Sequence, residues 1–154
     1  MPTRDPRHLL CLSPAGGLGW GLGAALGAKL AAPDRLVVAA IGDGAYMFAN
    51  PTACHWVADA HDLPVLAVIF NNSRYGAVRK ATLSMFRDGA AGEDDGRFLA
   101  DLDPAPAFEA VVQAQGGHGE RVERPEDLPE ALARARDVVV KERRQALLNV
   151  ICPY

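Results

Sequence analysis

A chain of 154 residues, 49% hydrophobic and 23% charged, has the size and balance of one globular domain with its own core. A net charge of −3, with no basic stripe interleaved with aromatics, argues against nucleic-acid binding. Three scattered cysteines (Cys11, Cys54, Cys152) fit a reduced, cytoplasmic protein, and no apolar run or signal-peptide core suggests a membrane partner.

In chain order, residues 1–8 are polar with two prolines and are expected to form a flexible tail, and Leu9 to Ser13 has the pattern of a short strand. Gly16 to Gly27 carries six glycines and merges into the small-residue helix AALGAKLAA. Glycine at that density costs helix stability, so the backbone there is expected to pass close to a ligand or a neighbouring helix. Two short, β-branched, uncharged runs follow, Leu36 to Ile41 and Val65 to Phe70, as expected of strands buried on both faces of a parallel sheet. Between them Asn50 is a candidate N-cap, with Pro51 at the first position of a helix reaching Asp62.

Beyond the second run, Ser73 to Gly76 reads as a turn and Ala77 to Phe86 as a helix. Asp88 to Asp103 is long, aperiodic and rich in Gly, Asp and Ala, the pattern of a loop that stays mobile until something covers it. A helix over Pro104 to Gln115, ended by Gly116-Gly117, precedes a strand over Glu120 to Glu123. Arg124-Pro125-Glu126-Asp127 opens a helix to about Lys141 with acids in its first turn, and Gln145 to Ile151 is a final buried strand. This alternation predicts an α/β fold, a doubly wound parallel sheet with helices on both faces.

The two apolar runs end abruptly, the first in Gly42-Asp43-Gly44 and the second in Asn71-Asn72. In a βαβ unit both clusters lie at the carboxyl edge of the sheet, where ligands of open α/β sheets bind. A carboxylate and a carboxamide oxygen are hard donors suited to Mg²⁺, and Mg²⁺ held by so few side chains usually bridges phosphates as well. Glycines beside Asp43 let a phosphate approach the main chain. The local expectation is Mg²⁺ plus a diphosphate. A rival pattern is Gly19-Trp20-Gly21-Leu22-Gly23-Ala24, which matches the GxGxxA of an NAD(P)-binding Rossmann-type oxidoreductase, with Asp43 near the place of its ribose acid. That alternative has a short, polar strand before it and leaves Asn71-Asn72 unexplained.

GDG, then 26 residues, then NN resembles the signature of thiamine diphosphate-dependent 2-oxo acid decarboxylases and acetolactate synthase-like enzymes. Flanking stretches agree: Gly16-Gly17-Leu18-Gly19 before, Leu30 to Arg35 between, and Tyr75-Gly76-Ala77-Val78-Arg79 after. The resemblance spans residues 1–154 as a C-terminal diphosphate-binding domain and implies a piece of a longer enzyme. It implies Asp43, Asn72 and the Arg74 carbonyl as Mg²⁺ ligands, and a cofactor cradle of Gly16, Gly17, Leu18, Gly42, Asp43, Gly44, Ala45, Asn72 and Tyr75. Within it, the N–H groups of Gly44 and Ala45 face the diphosphate, Leu18 bends the cofactor into a V, and the Gly16 carbonyl accepts from its 4′-amino group.

The implied reaction is decarboxylation of a 2-oxo acid, followed by protonation or carboligation of the resulting enamine. The activating glutamate is expected on a pyrimidine-binding domain of the same or a partner chain, in a homodimer or homotetramer, so this polypeptide alone is expected to be inactive. A non-catalytic cofactor-binding or assembly module is the other class to test. An exposed apolar patch is expected where the remaining domains dock. Val78 and Ala81 are candidates to face substrate, and Arg79 reads as an exposed helix arginine. No catalytic role is expected for His8, His55, His61 or His118, and the six-residue spacing of His55 and His61 does not suit a helical metal site.

Overall fold

The computed structural model describes Leu9, residues 17–93 and residues 100–153. The tail expected over residues 1–8, most of the strand expected over Leu9 to Ser13, and Gly16 lie outside that range. Helix α1 (Trp20–Ala31) leads into strand β1 (Val38–Gly42), which passes directly into α2 (Asp43–Phe48) and then α3 (Pro51–Ala60). Strand β2 (Leu66–Asn71), α4 (Gly76–Met85), α5 (Phe108–Gln113), β3 (His118–Val122), α6 (Leu128–Lys141) and β4 (Ala146–Ile151) complete the order.

The four strands among the described residues are all parallel, in the order β1-β2-β4-β3. The two most buried strands, β2 and β4, take the centre, where both faces are covered; their first four residues are all buried. Strand alternation splits the core in two. Ala39, Ile41, Ala67, Ile69 and Leu147 face Leu22 and Leu26 of α1, Tyr46 of α2, Ala58 of α3, and Phe108 and Val112 of α5. Leu66, Val68, Ala146, Leu148 and Val122 face α6, whose Ala131, Ala135, Val138 and Val139 recur at helical spacing. The fold is thus the expected α/β sheet with helices on both faces.

Several boundaries differ from the sequence pattern for local reasons. Asn50 sits at the N-cap of α3 but makes no side-chain cap bond; it enters through left-handed backbone (φ 50°), which Asn tolerates, and Pro51 starts the helix. Helix α5 starts only at Phe108, because Pro104 and Pro106 bias the residues before them away from helix. A 3₁₀ turn at Pro125–Asp127 precedes α6, and another at Ala90–Gly92 interrupts the expected loop. Strand β3 begins two residues early, at His118.

Gly19 has φ 90°, and a Cβ there would collide with the carbonyl of Phe48. Gly21 packs closely on the Ile41 side chain. Two of the glycines in the rich stretch therefore let α1 close on β1 and α2, as anticipated for a close backbone approach.

Candidate functional site

Register places the site. Gly42 pairs with Phe70, so Asp43 and Asn71 leave neighbouring parallel strands side by side at the carboxyl edge. Asp43 is the first residue of α2 and only 5% exposed. Its Oδ1 accepts from the Gly44 N–H at 2.7 Å, and its Oδ2 accepts from the Arg74 N–H at 3.3 Å. The same Arg74 N–H donates to Asn72 Oδ1 at 3.1 Å. The carboxylate of one strand tip and the carboxamide oxygen of the next thus converge on one donor.

Among the described residues Asp43 has no ion-pair partner; its hydrogen bonds come from main-chain N–H groups. A buried carboxyl beside a second hard oxygen, without a side-chain cation, is a donor set that suits a small divalent ion. No group of three or more His, Cys, Asp or Glu that could hold a metal ion gathers among the described residues.

The turn that carries Asn72 is built by its neighbour. Asn71 is fully buried, and its Oδ1 accepts from the Ser73 N–H at 2.9 Å and the Ser73 hydroxyl at 3.2 Å, an Asx turn with Ser73 left-handed at φ 54°. Of the two asparagines, one shapes the loop and the other presents its oxygen. The turn is braced from outside as well. Tyr75 N–H donates to Ala100 O and Leu102 N–H to Ser73 O, both at 2.7 Å, and the Arg74 guanidinium pairs with Asp101 at 2.5 Å. Part of the stretch expected as an open loop is therefore a buttress, a role invisible in a sequence without periodicity.

Gly44 and Gly42 do different work. A Cβ on Gly44 would lie 2.8 Å from the Tyr75 ring, so that glycine admits an aromatic rather than open space. Tyr75 also contacts the Phe48 ring, with its hydroxyl 3.6 Å from the Met47 sulfur. Gly42 has nothing within 4 Å of a would-be Cβ, and its approach stays open. The Gly44 N–H, expected to face a diphosphate, is engaged by Asp43 in this structure. Ala45 follows in the first turn, where N–H groups have no intrahelical carbonyl.

Gly17, Leu18, Gly42 and Ala45 line one groove of about 570 Å³, with Trp20, Ala24 and Val38 among the other walls. Asp43, Gly44, Asn72, Arg74 and Tyr75 cluster beyond its end, around the Arg74 N–H and the Gly44 backbone. The expected cradle is therefore two adjoining patches joined by Gly42-Asp43, and Gly16 falls outside the described residues. Leu18 is half exposed at the groove rather than buried in the core. The apolar surface expected for docking is present here: Leu18, Trp20, Leu36 and Val38 are all exposed.

Three further side chains have partners that the sequence pattern does not announce. His55 is buried and bonded at both nitrogens, by Tyr46 Oη at 2.7 Å and Gln145 Oε1 at 2.7 Å. Burial pushes its pKa down, against the Gln145 hydrogen bond, and burial pushes the Tyr46 phenol well above its usual range. His118 lies 3.4 Å from Glu120. Arg79 is half-buried, donating to Ala91 O at 3.3 Å, not a free surface arginine. Val78 remains exposed on α4, a helix with no buried residue.

Known proteins bear on this geometry. The family described as thiamine pyrophosphate enzyme, C-terminal TPP binding domain, matches residues 1–150. A sulfoacetaldehyde acetyltransferase from Alcaligenes xylosoxydans xylosoxydans is 32% identical over 148 residues, 96% of this chain and 23% of that protein. An acetolactate synthase large subunit from Mycobacterium tuberculosis is 38% identical over 123 residues, 79% of this chain and 20% of that protein. The solved Rhodococcus jostii RHA1 thiamine diphosphate-dependent 4-hydroxybenzoylformate decarboxylase superposes with a TM-score of 0.71 at 31% identity, covering 91% of this chain and 24% of that one. The chain spans about a quarter of the length of these relatives. The nicotinamide alternative gains nothing: Gly19 and Gly21 of its motif pack against the protein's own α2 and β1.

Proposed function

The chain belongs to the thiamine pyrophosphate enzymes as their C-terminal cofactor-binding domain, and from that premise we propose that Asp43, Asn72 and the Arg74 carbonyl hold a Mg²⁺ ion that anchors the cofactor's diphosphate. The observation that supports this is the meeting of Asp43 Oδ2 and Asn72 Oδ1 on one N–H, which puts two hard oxygens within reach of a single small cation. Gly42 offers the open backbone, and Leu18 and Gly17 at the groove mouth offer apolar and main-chain contact for the rest of the cofactor.

Bound thiamine diphosphate supplies an electron sink for breaking the bond beside the ketone of a 2-oxo acid. This chain's own residues bind and orient it, and the groove wall of Leu18, Trp20 and Val38 keeps its surroundings apolar. The activating glutamate is assigned to a pyrimidine-binding domain of the same or a partner chain, with the site completed in a homodimer or homotetramer. The reaction class is decarboxylation of a 2-oxo acid, with protonation or carboligation to follow.

Calorimetric titration of the complete protein with thiamine diphosphate tests the reading. Binding is expected with Mg²⁺ and not with EDTA, and Asp43→Ala or Asn72→Ala is expected to weaken it by at least about tenfold, the worth of one charge-assisted contact. Undiminished affinity in EDTA, or in the Asp43→Ala protein, overturns it.

A further inference from the structure

Behind the Asn72 turn runs a line of side-chain hydrogen bonds that crosses the sheet and ends on a carboxylate. Its direction is fixed at one end by chemistry alone. The Ser73 N–H can only donate, so the Asn71 atom 2.9 Å away is its oxygen. Asn71 Nδ2 must then donate, and it meets Asn149 Oδ1 on the neighbouring strand β4 at 3.0 Å. Asn149 Nδ2 in turn donates to Glu109 Oε2 on α5 at 2.6 Å and lies 3.4 Å from Pro106 O. Both asparagines are fully buried, and Glu109 is half-buried.

Two carboxamides at 0% exposure between core strands are costly unless every group is paired. An apolar pair of similar volume would serve packing at least as well. What the polar line adds is orientation. Together with the Ser73 N–H it holds the Asn71 amide from both ends, and so braces the Asx turn that sets where Asn72 Oδ1 and the Arg74 main chain sit.

We infer that Glu109, acting through Asn149 and Asn71, is a positioning residue for divalent-cation binding at Asp43 and Asn72; this rests on the Mg²⁺ reading above. Glu109 contacts neither Asp43 nor Asn72. Its carboxylate is the terminal acceptor that holds both amides in the orientation the turn requires. Removing that acceptor frees the Asn149 amide to flip and present its nitrogen to Asn71, where two donors would face each other.

The test uses the complete protein and two readouts, the Mg²⁺ concentration needed for half-maximal thiamine diphosphate binding and the thermal midpoint without cofactor. Glu109→Ala is expected to raise the Mg²⁺ requirement about tenfold, the loss of one buried charge-assisted bond. Glu109→Gln keeps an acceptor oxygen and is expected to stay within about threefold of the parent, since a neutral acceptor forfeits only part of that bond. Asn149→Asp sets a carboxyl against Glu109 and is expected to raise the requirement further, and adding Glu109→Gln restores a donor and lowers it again. Leu147→Ala, on the same strand but off this line, is expected to lower the thermal midpoint and leave the Mg²⁺ requirement unchanged.

If the parent binds cofactor with Mg²⁺ while Glu109→Ala needs no more Mg²⁺ than the parent, the inference falls. It falls equally if Leu147→Ala raises the requirement as much as Glu109→Ala, since loosened packing would then explain both. A parent that binds no cofactor with Mg²⁺ present overturns the Mg²⁺ reading itself, a separate result. Should Asn149→Asp fail to fold, the Ala and Gln variants at the half-buried Glu109 decide alone.

Discussion

Tyr46, three residues after Asp43 on α2, is tied through His55 on α3 to Gln145 just before β4. Gln145 Nε2 donates to the His55 and Gln115 carbonyls at 2.9 and 3.2 Å, which leaves its oxygen to accept from His55 Nδ1–H. His55 Nε2 is then the acceptor for the Tyr46 hydroxyl, so the structure demands the neutral ring with its proton on Nδ1. Burial lowers the folded pKa below the ordinary 6.5, so below that value the unfolded chain binds a proton the folded chain resists. His55 therefore contributes stability that is fully present above pH 6.5 and is lost as pH falls below it toward the depressed folded value. Thermal midpoints from pH 8 to pH 5 are expected to fall more steeply in the parent than in His55→Leu. That variant is expected to lose about 1–3 kcal/mol at pH 8 by orphaning Tyr46 and Gln145; equal slopes would remove His55 as the source.

This cluster shows why parts of the site were not legible in the sequence. Asp43 and Asn72 could be found from spacing because both sit at strand tips, where the chain pattern itself declares the location. His55 and Gln145 are 90 residues apart and meet only after β4 is threaded beside β2. The resemblance singles out Asn72 over Asn71, but the cause lies outside any local pattern, because the partner that makes Asn71 structural is Asn149, 78 residues away. The sequence pattern offers Gly44 for phosphate access, yet the Tyr75 ring lies against it, a contact no local pattern announces.

At the scale of elements the sheet carries the stability. Leu147 in β4 is fully buried and belongs to the layer formed by α1, α2, α3 and α5. Leu147→Ala is expected to destabilise by about 2–5 kcal/mol, read as a lower denaturant midpoint, because a central strand flanked on both sides cannot collapse onto the cavity. A change below about 1 kcal/mol would mean the layer repacks freely. Strands are readable because β2 is apolar up to its last residue and β4 is broken only by Asn149, whereas the apolar pattern overextends α5 through Pro104 and Pro106, which bias the residues before them away from helix. The close seating of α1 was foreshadowed by glycine density, but its partners Phe48 and Ile41 emerge only from the packed structure.

For the molecule as a whole, the two edges of the sheet among the described residues are unlike. Strand β3 carries His118, Glu120 and Arg121, and the pair Arg134–Glu120 lies beside it at 2.6 Å, the charged finish of an edge that faces water. Strand β1 is VAAIG, and Val38 is 51% exposed because α6 covers β2, β4 and β3 but stops short of β1. With Leu18, Trp20 and Leu36 it makes an apolar flank that a lone soluble domain seldom leaves open. Val38→Lys is expected to reduce concentration-dependent association of this polypeptide, measured by light scattering, while shifting stability by no more than about 0.5 kcal/mol. Unchanged scattering would show that the flank is inert in solution. No helix among the described residues is long and apolar enough to cross a membrane.

The pairing of Gly42 with Phe70 has one further consequence. Because Asp43 and Asn72 sit just past adjacent strands, their spacing starts from two backbones held about 4.8 Å apart by the ladder, not from flexible connections. Sliding β2 by a single residue would carry Asn72 about 3.3 Å along the strand and turn its side chains to the opposite face. On the proposed Mg²⁺ reading, a misaligned sheet would be unable to capture the ion, and vitamin uptake would double as an assay of correctly zipped strands.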